Sequence, residues 1–281
     1  MIRSGPLDPA EADVVRAIVS AAADVDGVVP LSEHARLGLD NRGWTHLRAT
    51  LPGGTTVGYA QADPDGTGEL VVHPAHRRQG TGRTLLSALL RAGADRIWAH
   101  GDHPGAAALA RSAGLHRIRG LLKLGRSLAE PFPPPRLPDG IDIRTFTPGQ
   151  DDEAWLALNA AAFAGHPEQG RWDARDLTQR LAEPWFDPAG FFLATRGDRL
   201  VGFHWTKVED GSGEIYVLGI DPAEQGSGLG KALALIGLNH MRDSGLTDVV
   251  LYVEETNAAA VGLYTGLGFA QVAIDVQYAP G

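Results

Sequence analysis

The chain has no cysteine among its 281 residues. That excludes disulfides, thiolate-held zinc, iron–sulfur clusters and any covalent mechanism through an enzyme thiol. It also lacks a run of about 18 apolar residues able to span a bilayer. The opening Met1-Ile2-Arg3-Ser4-Gly5-Pro6 has no apolar stretch of the signal-peptide kind, so a soluble cytoplasmic protein is the expectation. Positive charge is scarce: 25 Lys and Arg against 34 Asp and Glu leave a net charge of −9. Proteins that track phosphate backbones carry a basic stripe, and an anionic membrane repels this balance, so neither nucleic acid nor membrane is an expected partner. A monomer is expected.

What is present points to a globular enzyme-sized chain. Hydrophobic residues make up 43% and charged residues 21%, enough to build real cores. With 36 glycines and 18 prolines and no collagen-like period, many tight turns are expected. The length suits two domains of about 140 residues. Their boundary is read at Pro131-Phe132-Pro133-Pro134-Pro135-Arg136-Leu137-Pro138, whose prolines favour an extended spacer over a helix or central strand. The expected division is residues 1–130, a linker at 131–140, and residues 141–281.

An internal repeat supports two halves. Glu69-Leu70-Val71-Val72-His73-Pro74 leads into Arg77-Arg78-Gln79-Gly80-Thr81-Gly82-Arg83. Val217-Leu218-Gly219-Ile220-Asp221-Pro222 leads likewise into Gln225-Gly226-Ser227-Gly228-Leu229-Gly230-Lys231. Each copy reads as an apolar strand, a proline turn, a glycine loop and a helix with leucines facing inward (Leu85, Leu86, Leu89 and Leu90; Leu233, Leu235, Ile236 and Leu238). Each then has a second strand, Arg96–Ala99 or Val249–Val253, and closes on a short helix and a glycine turn. Helical segments near Pro9–Ala23 and Asp151–Phe163, and alternating stretches at Thr56–Gln61 and Leu200–Trp205, complete a plan of strands first and a strand–loop–helix–strand unit after. That plan implies a mixed α/β sheet in each half.

Glycines between a strand and a helix let backbone N–H groups approach an anion, and the helix N-terminus adds its dipole, so a pyrophosphate is the natural guest. Tight turning alone also uses such glycines. The spacing is G-x-G-x-G, late in the domain, which is not the dinucleotide fingerprint G-x-G-x-x-G, and neither a Walker loop nor a G-x-S-x-G elbow occurs.

The pattern Q/R-x-x-G-x-G/A after a strand resembles the acetyl-CoA loop of the GNAT N-acetyltransferases, in both halves. The resemblance implies an α/β (α+β) fold of two tandem GNAT acyltransferase domains, each a mixed, mostly antiparallel sheet flanked by helices. It implies acetyl-CoA as co-substrate, bound in the second copy by Leu218, Gly219 and Ile220 and by Gln225, Gly226, Ser227, Gly228, Leu229, Gly230 and Lys231. In the first copy the matching residues are Leu70, Val71, Val72, Arg78, Gln79, Gly80, Thr81, Gly82 and Arg83. The family's Asn-to-Tyr helix is matched by Asn257, Ala258, Ala259, Ala260, Val261 and Gly262, which the resemblance assigns to the cofactor, followed by Leu263 and Tyr264.

An ungapped alignment sets Asn257 opposite His103 and Tyr264 opposite Ala110. Acetyl transfer to an amine needs a base for the incoming ammonium and an acid for the departing thiolate. Tyr264 is the expected acid and Glu214, just before the second copy's strand, the expected base. The count from His73 places Gly66 opposite Glu214, so the first copy is read as degenerate, retaining a loop that can still hold acetyl-CoA. Without these roles Tyr264 is a core aromatic and Glu214 a solvated strand-end carboxylate.

The whole pattern resembles the tandem GNAT enzymes that acetylate the cysteinyl amine of cysteinyl-glucosaminyl-inositol, a small thiol pseudodisaccharide. That likeness implies acceptor contacts from Glu33, Glu168, Lys207, Glu214 and Tyr252; taken singly, each is an ordinary surface charge or aromatic. The alternatives are a tandem GNAT acting on another amine (an aminoglycoside, a polyamine or a protein N-terminus) and a non-catalytic CoA-sensing module. The pairs His73/His76 and His100/His103 have i, i+3 spacing, but no carboxylate pattern completes either, and no metal is expected.

Overall fold

The computed structural model describes residues 1–166, 169–209 and 211–281. They fall into two compact units: Met1–Leu122 with Glu254–Thr256 and Ala273–Gly281, and Lys123–Val253 with Asn257–Val272. These edges do not follow the sequence repeat. The proline-rich stretch 131–140 runs with the second unit, and the last residues of the chain pack with the first.

In the first unit, strands β1 (Ile2–Ser4), β2 (Thr45–Thr50), β3 (Thr56–Ala62) and β4 (Thr67–Val72) pair antiparallel in succession. β5 (Arg96–Ala99) runs parallel to β4. Two helices, α1 (Pro9–Asp26) and α3 (Thr81–Arg91), pack on β3 and β4, with the short α2 (Glu33–Leu37) between them in sequence. α1 starts where its sequence says it should: Asp8 and Glu11 form a reciprocal capping box, Pro9 fills the first turn, and Gly27 ends the helix at φ 69°. Leu85, Leu86 and Leu89 of α3 are buried, as the leucine spacing predicts, and Leu90 is half-buried. The unit is completed by α4 (Pro104–Ser112) and by the C-terminal strand, which pairs antiparallel with β5 through Val276, Gln277 and Tyr278.

In the second unit, β7 (Asp142–Thr145), β8 (Phe191–Arg196), β9 (Arg199–Glu209) and β10 (Ser212–Ile220) are antiparallel neighbours, and β11 (Asp248–Glu254) lies parallel to β10. β6 (Leu115–Ser127) ends in this unit and β12 (Ala270–Pro280) begins in it. α5 (Asp152–Ala162) and α6 (Ala174–Leu181) cover an aromatic cluster in which Trp155 meets Phe203 edge-on at 5.3 Å and Trp205 at 5.8 Å. α7 (Leu229–Asp243) packs on β9 and β10, setting its Leu229 and Leu233 against Val201, and α8 (Ala258–Gly266) closes the unit. Each unit is thus a mixed, mostly antiparallel sheet flanked by helices.

Candidate active site

Both glycine loops do the same structural job. α3 and α7 start from Gly80 (φ 85°) and Gly228 (φ 90°), left-handed positions that favour glycine, and neither start has a side-chain cap. Asp8, Ser32, His103, Asp173 and Asn257 cap α1, α2, α4, α6 and α8 with their side chains, while α5 also starts without one. Leu229 N–H, the first of α7, donates to Ser227 Oγ at 3.4 Å; the other first-turn N–H groups of α3 and α7 are left to solvent or to a ligand, with the dipole favouring an anion. Gly82 and Gly230 argue the same way. A methyl on Gly230 would meet Ile220 at 3.6 Å and Leu263 at 4.0 Å, and one on Gly82 would meet Leu109 at 3.4 Å, both ordinary contacts. Packing does not require glycine there, and alanine would favour the helix. A bare backbone suits the close approach of a phosphate chain, so the residues present fit acetyl-CoA.

The parallel strand pairs part where the loops need room. Between β4 and β5 the pairing ends at Gly68↔Ile97, and between β10 and β11 at Ile215↔Leu251. In the first unit this opening is a cavity of about 800 Å³ lined by Leu70, Val71, Val72, Arg78, Gly80, Gly82 and Arg83. Gln79 and Thr81, the other two loop residues expected to contact acetyl-CoA, do not line it. Arg77 is committed elsewhere, to both oxygens of Asp26 at 2.7 Å, and it holds that carboxyl below the usual range.

His100 also lines the cavity. Its Nδ1 is 2.9 Å from Asp275 and its Nε2 is 3.3 Å from Glu69, which also accepts from the Ser32 N–H at 2.7 Å. Burial opposes charge on this ring, but the Glu69 and Asp275 carboxylates prevail and push its pKa up to about 10. His100 is an imidazolium between carboxylates. Among the described residues no group of three or more His, Asp or Glu is placed to hold a metal ion.

Glu214 lies on β10 directly opposite Lys207 of β9, so the two side chains share a face. Lys207 is buried; its Nζ is 3.0 Å from Glu209 and sits over Trp185 at 4.8 Å and Tyr216 at 5.7 Å. A β-bulge at Tyr216 breaks the register between Ile215 and Val217. The matching pair β3–β4 has none, which changes the expected correspondence between the copies. Glu214 pairs with Val250 one step before the strands part, and the residue in that place on β4 is Thr67, paired with Arg96. The ungapped count to Gly66 is off by the one residue that the bulge adds. Either way the first unit has no carboxylate there.

The last helix preserves the ungapped alignment. His103 caps α4 by accepting from Gly105 N–H at 3.0 Å, and Asn257 caps α8 by accepting from Ala260 N–H at 3.1 Å. Seven residues on from the cap stand Ala110 and Tyr264, both buried. Tyr264 meets Phe269 edge-on at 5.7 Å, and burial raises its phenol well above the ordinary value. Leu263, its neighbour, faces the first turn of α7 at Gly230.

Of the other expected acceptor contacts, Tyr252 is exposed on β11 with the Lys123 ammonium 5.4 Å from its ring, and Glu33 opens α2 in the first unit. Glu168 lies outside the described residues. Lys207 and Glu214 are thus brought together on paired strands, whereas Tyr252 and Tyr264 come from separate elements. Sequence reasoning missed the aromatic wall beside Lys207, formed by Trp185 and Tyr216 with Trp172 and Arg180 packed behind against Tyr216; no motif joins these residues.

The acetyltransferase (GNAT) family profile matches residues 153–269, and an acetyltransferase (GNAT) domain profile matches residues 44–114. A mycothiol acetyltransferase of Thermobispora bispora is 52% identical, covering 96% of this chain and 96% of its own. One from Streptomyces coelicolor is 54% identical over 97% of this chain and 92% of its own. Among solved structures, a tandem GNAT protein from the clavulanic acid biosynthesis pathway aligns with a TM-score of 0.74 at 20% identity, covering 99% of this chain and 98% of that one. A GCN5-related N-acetyltransferase from Sphaerobacter thermophilus gives 0.71 at 24% identity, covering 100% and 96%. The solved structures establish the shared fold.

Proposed function

The chain belongs to the mycothiol acetyltransferase family of tandem GNAT enzymes, and from that premise we propose that it acetylates the cysteinyl amine of cysteinyl-glucosaminyl-inositol, yielding mycothiol. It is an acyltransferase, and acetyl-CoA supplies the acetyl thioester. The second copy is the catalytic one in this reading, and the first a degenerate copy within the proposed division at residues 131–140. One contrast carries the assignment. The second unit has a carboxylate one pair before its strands part and a buried phenol on its last helix; the first has Thr67 and Ala110 in those places.

Glu214 receives the proton of the acceptor ammonium, directly or through one water, which frees the lone pair that attacks the carbonyl. Tyr264 supplies a proton to the sulfur as the carbon–sulfur bond breaks. Its raised pKa keeps the phenol protonated until the sulfur carries charge. A free thiol has a pKa of about 8.5, so this transfer runs uphill from an unassisted phenol and its efficiency must come from placement. Direct transfer also fits the absence of cysteine, since no covalent enzyme intermediate is called for. Glu33, Glu168, Lys207, Glu214 and Tyr252 are the proposed acceptor contacts; carboxylates and one ammonium donor suit a polyol that carries a single cation. No helix among the described residues is long and apolar enough to cross a membrane, and a cytoplasmic location is part of the same proposal.

The test is CoA release from acetyl-CoA with the cysteinyl pseudodisaccharide, run beside a panel of aminoglycosides, polyamines and peptide N-termini. Preferred turnover of the pseudodisaccharide is expected. Turnover of another amine with none on the pseudodisaccharide would overturn the reading.

A further inference from the structure

Arg180, on α6, is a buried cation with no place in the chemistry above. It is 3% exposed. Its guanidinium lies 3.7 Å from the centroid of the Trp172 ring, and its Nη1 donates to the Asp176 carbonyl at 3.0 Å and stands 3.8 Å from the Asp176 carboxylate. Taking a guanidinium out of water against one carboxylate at that distance is costly, and an aliphatic side chain would fill the space without the penalty. Packing therefore gives no reason for an arginine here. The remaining contact does: Nε donates to the Tyr216 hydroxyl at 2.9 Å.

Tyr216 is the residue that β10 has in excess, the bulge found in the second unit and missing from the matching strands of the first. It follows Ile215, the last residue of β10 paired with β11. Its ring packs against Trp185 at 4.9 Å and Trp205 at 5.3 Å, with the Lys207 ammonium at 5.7 Å. Bulges beside functional sites re-aim the side chains of their strand. Here the strand carries Glu214 two residues away, facing Lys207.

We propose that Arg180 is a positioning residue of the acceptor site: its bond to Tyr216 pins the bulge and thereby sets Glu214 and Lys207 on the wall that receives the acceptor amine. The proposal rests on the reading of Glu214 given above. Arg180 touches no reacting atom and moves no proton.

Tyr216→Phe, Arg180→Leu and the double variant test it by steady-state kinetics in each substrate. Tyr216→Phe removes one oxygen and should lower kcat/KM for the acceptor about tenfold, the scale of one lost bond to a charged group. KM for acetyl-CoA should stay within about twofold, because the loop at Gly226–Gly230 is untouched. The double variant should lose no more than the worse single, since both singles remove the same Arg180–Tyr216 bond. Losses that multiply, an unchanged acceptor kcat/KM in Tyr216→Phe, or equal rises in both KM values would overturn the proposal. Should Arg180→Leu fail to fold, Tyr216→Phe decides alone, and Arg180→Lys, which keeps the charge without the Nε bond, should match it. The wild type judges the proposed function separately. If it prefers another amine, that function falls and the variant ratios are read on the preferred amine; absence of turnover with every amine overturns both.

Discussion

Acidification from pH 7 to pH 5 should cost the second unit about 2 kcal/mol through one side chain, His204. The ring is fully buried, with Nδ1 2.8 Å from the Leu233 carbonyl. A carbonyl can only accept, so the ring proton sits on Nδ1 and Nε2 is bare, without a partner. A methyl on Gly237 would overlap this ring, which explains a glycine inside α7. Burial, reinforced by His240, pulls the pKa from 6.5 to about 4, against the Leu233 bond that favours the charged form. Between those values the unfolded chain binds a proton that the folded chain refuses, so stability rises with pH across the window. At ~1.36 kcal/mol per pKa unit the loss is about 2 kcal/mol by pH 5 and approaches about 3 kcal/mol near pH 4. Trp155, Trp172, Trp185 and Trp205 all belong to this unit, so tryptophan fluorescence during urea titration reports on it. His204→Leu removes the titrating group. Its stability at pH 7 can move either way, but its slope between pH 7 and pH 5 should be shallower than the wild type's by about 2 kcal/mol over that range. A variant that keeps the wild-type slope refutes the argument.

His100 should act with the opposite sign. Its folded pKa is raised to about 10, so its contribution is complete below the unfolded value and drains away as pH rises from about 6.5 toward 10. The first unit should melt at lower temperature at pH 9 than at pH 7, and His100→Gln should flatten that fall; equal falls would sink the account. Tyr264→Phe should lower kcat by roughly 10²-fold with KM for acetyl-CoA little changed, and an unchanged kcat would remove the phenol from the mechanism. Gly230→Ala should raise KM for acetyl-CoA without lowering the melting temperature, because its methyl meets only ordinary contacts. Gly82→Ala should leave kcat and KM alone, and a rise in KM there would place turnover in the first unit.

Much of the scaffold was legible because it is written in local signals. The capping box at Asp8 and Glu11, the proline turns, the glycine loops and the leucine spacing of α3 each depend on residues within a few positions of one another. The Asn257–Tyr264 helix was legible for the same reason. Its alignment with His103–Ala110 holds without a gap because both helices have the same length and the same cap position. The Glu214 equivalence went astray by one residue, since a bulge adds to the chain count without adding a pleat. Nothing in residues 212–220 announces that bulge. The Tyr216 hydroxyl at that bulge accepts from an arginine of another element, 36 residues earlier.

The sequence by itself determined the duplication, the fold class, the two glycine loops and which half carries the carboxylate and the phenol, because each is a matter of residue identity at short spacing. Only the tertiary structure decided how these groups are held. It pairs Glu214 with Lys207 beside an aromatic wall, splits two histidines into an imidazolium and a neutral ring, and sends the last nine residues to pack with the first unit. Those outcomes depend on burial and on partners remote in the chain (Asp275 lies 175 residues from His100), and no local pattern encodes a charge or a register that is set by such contacts.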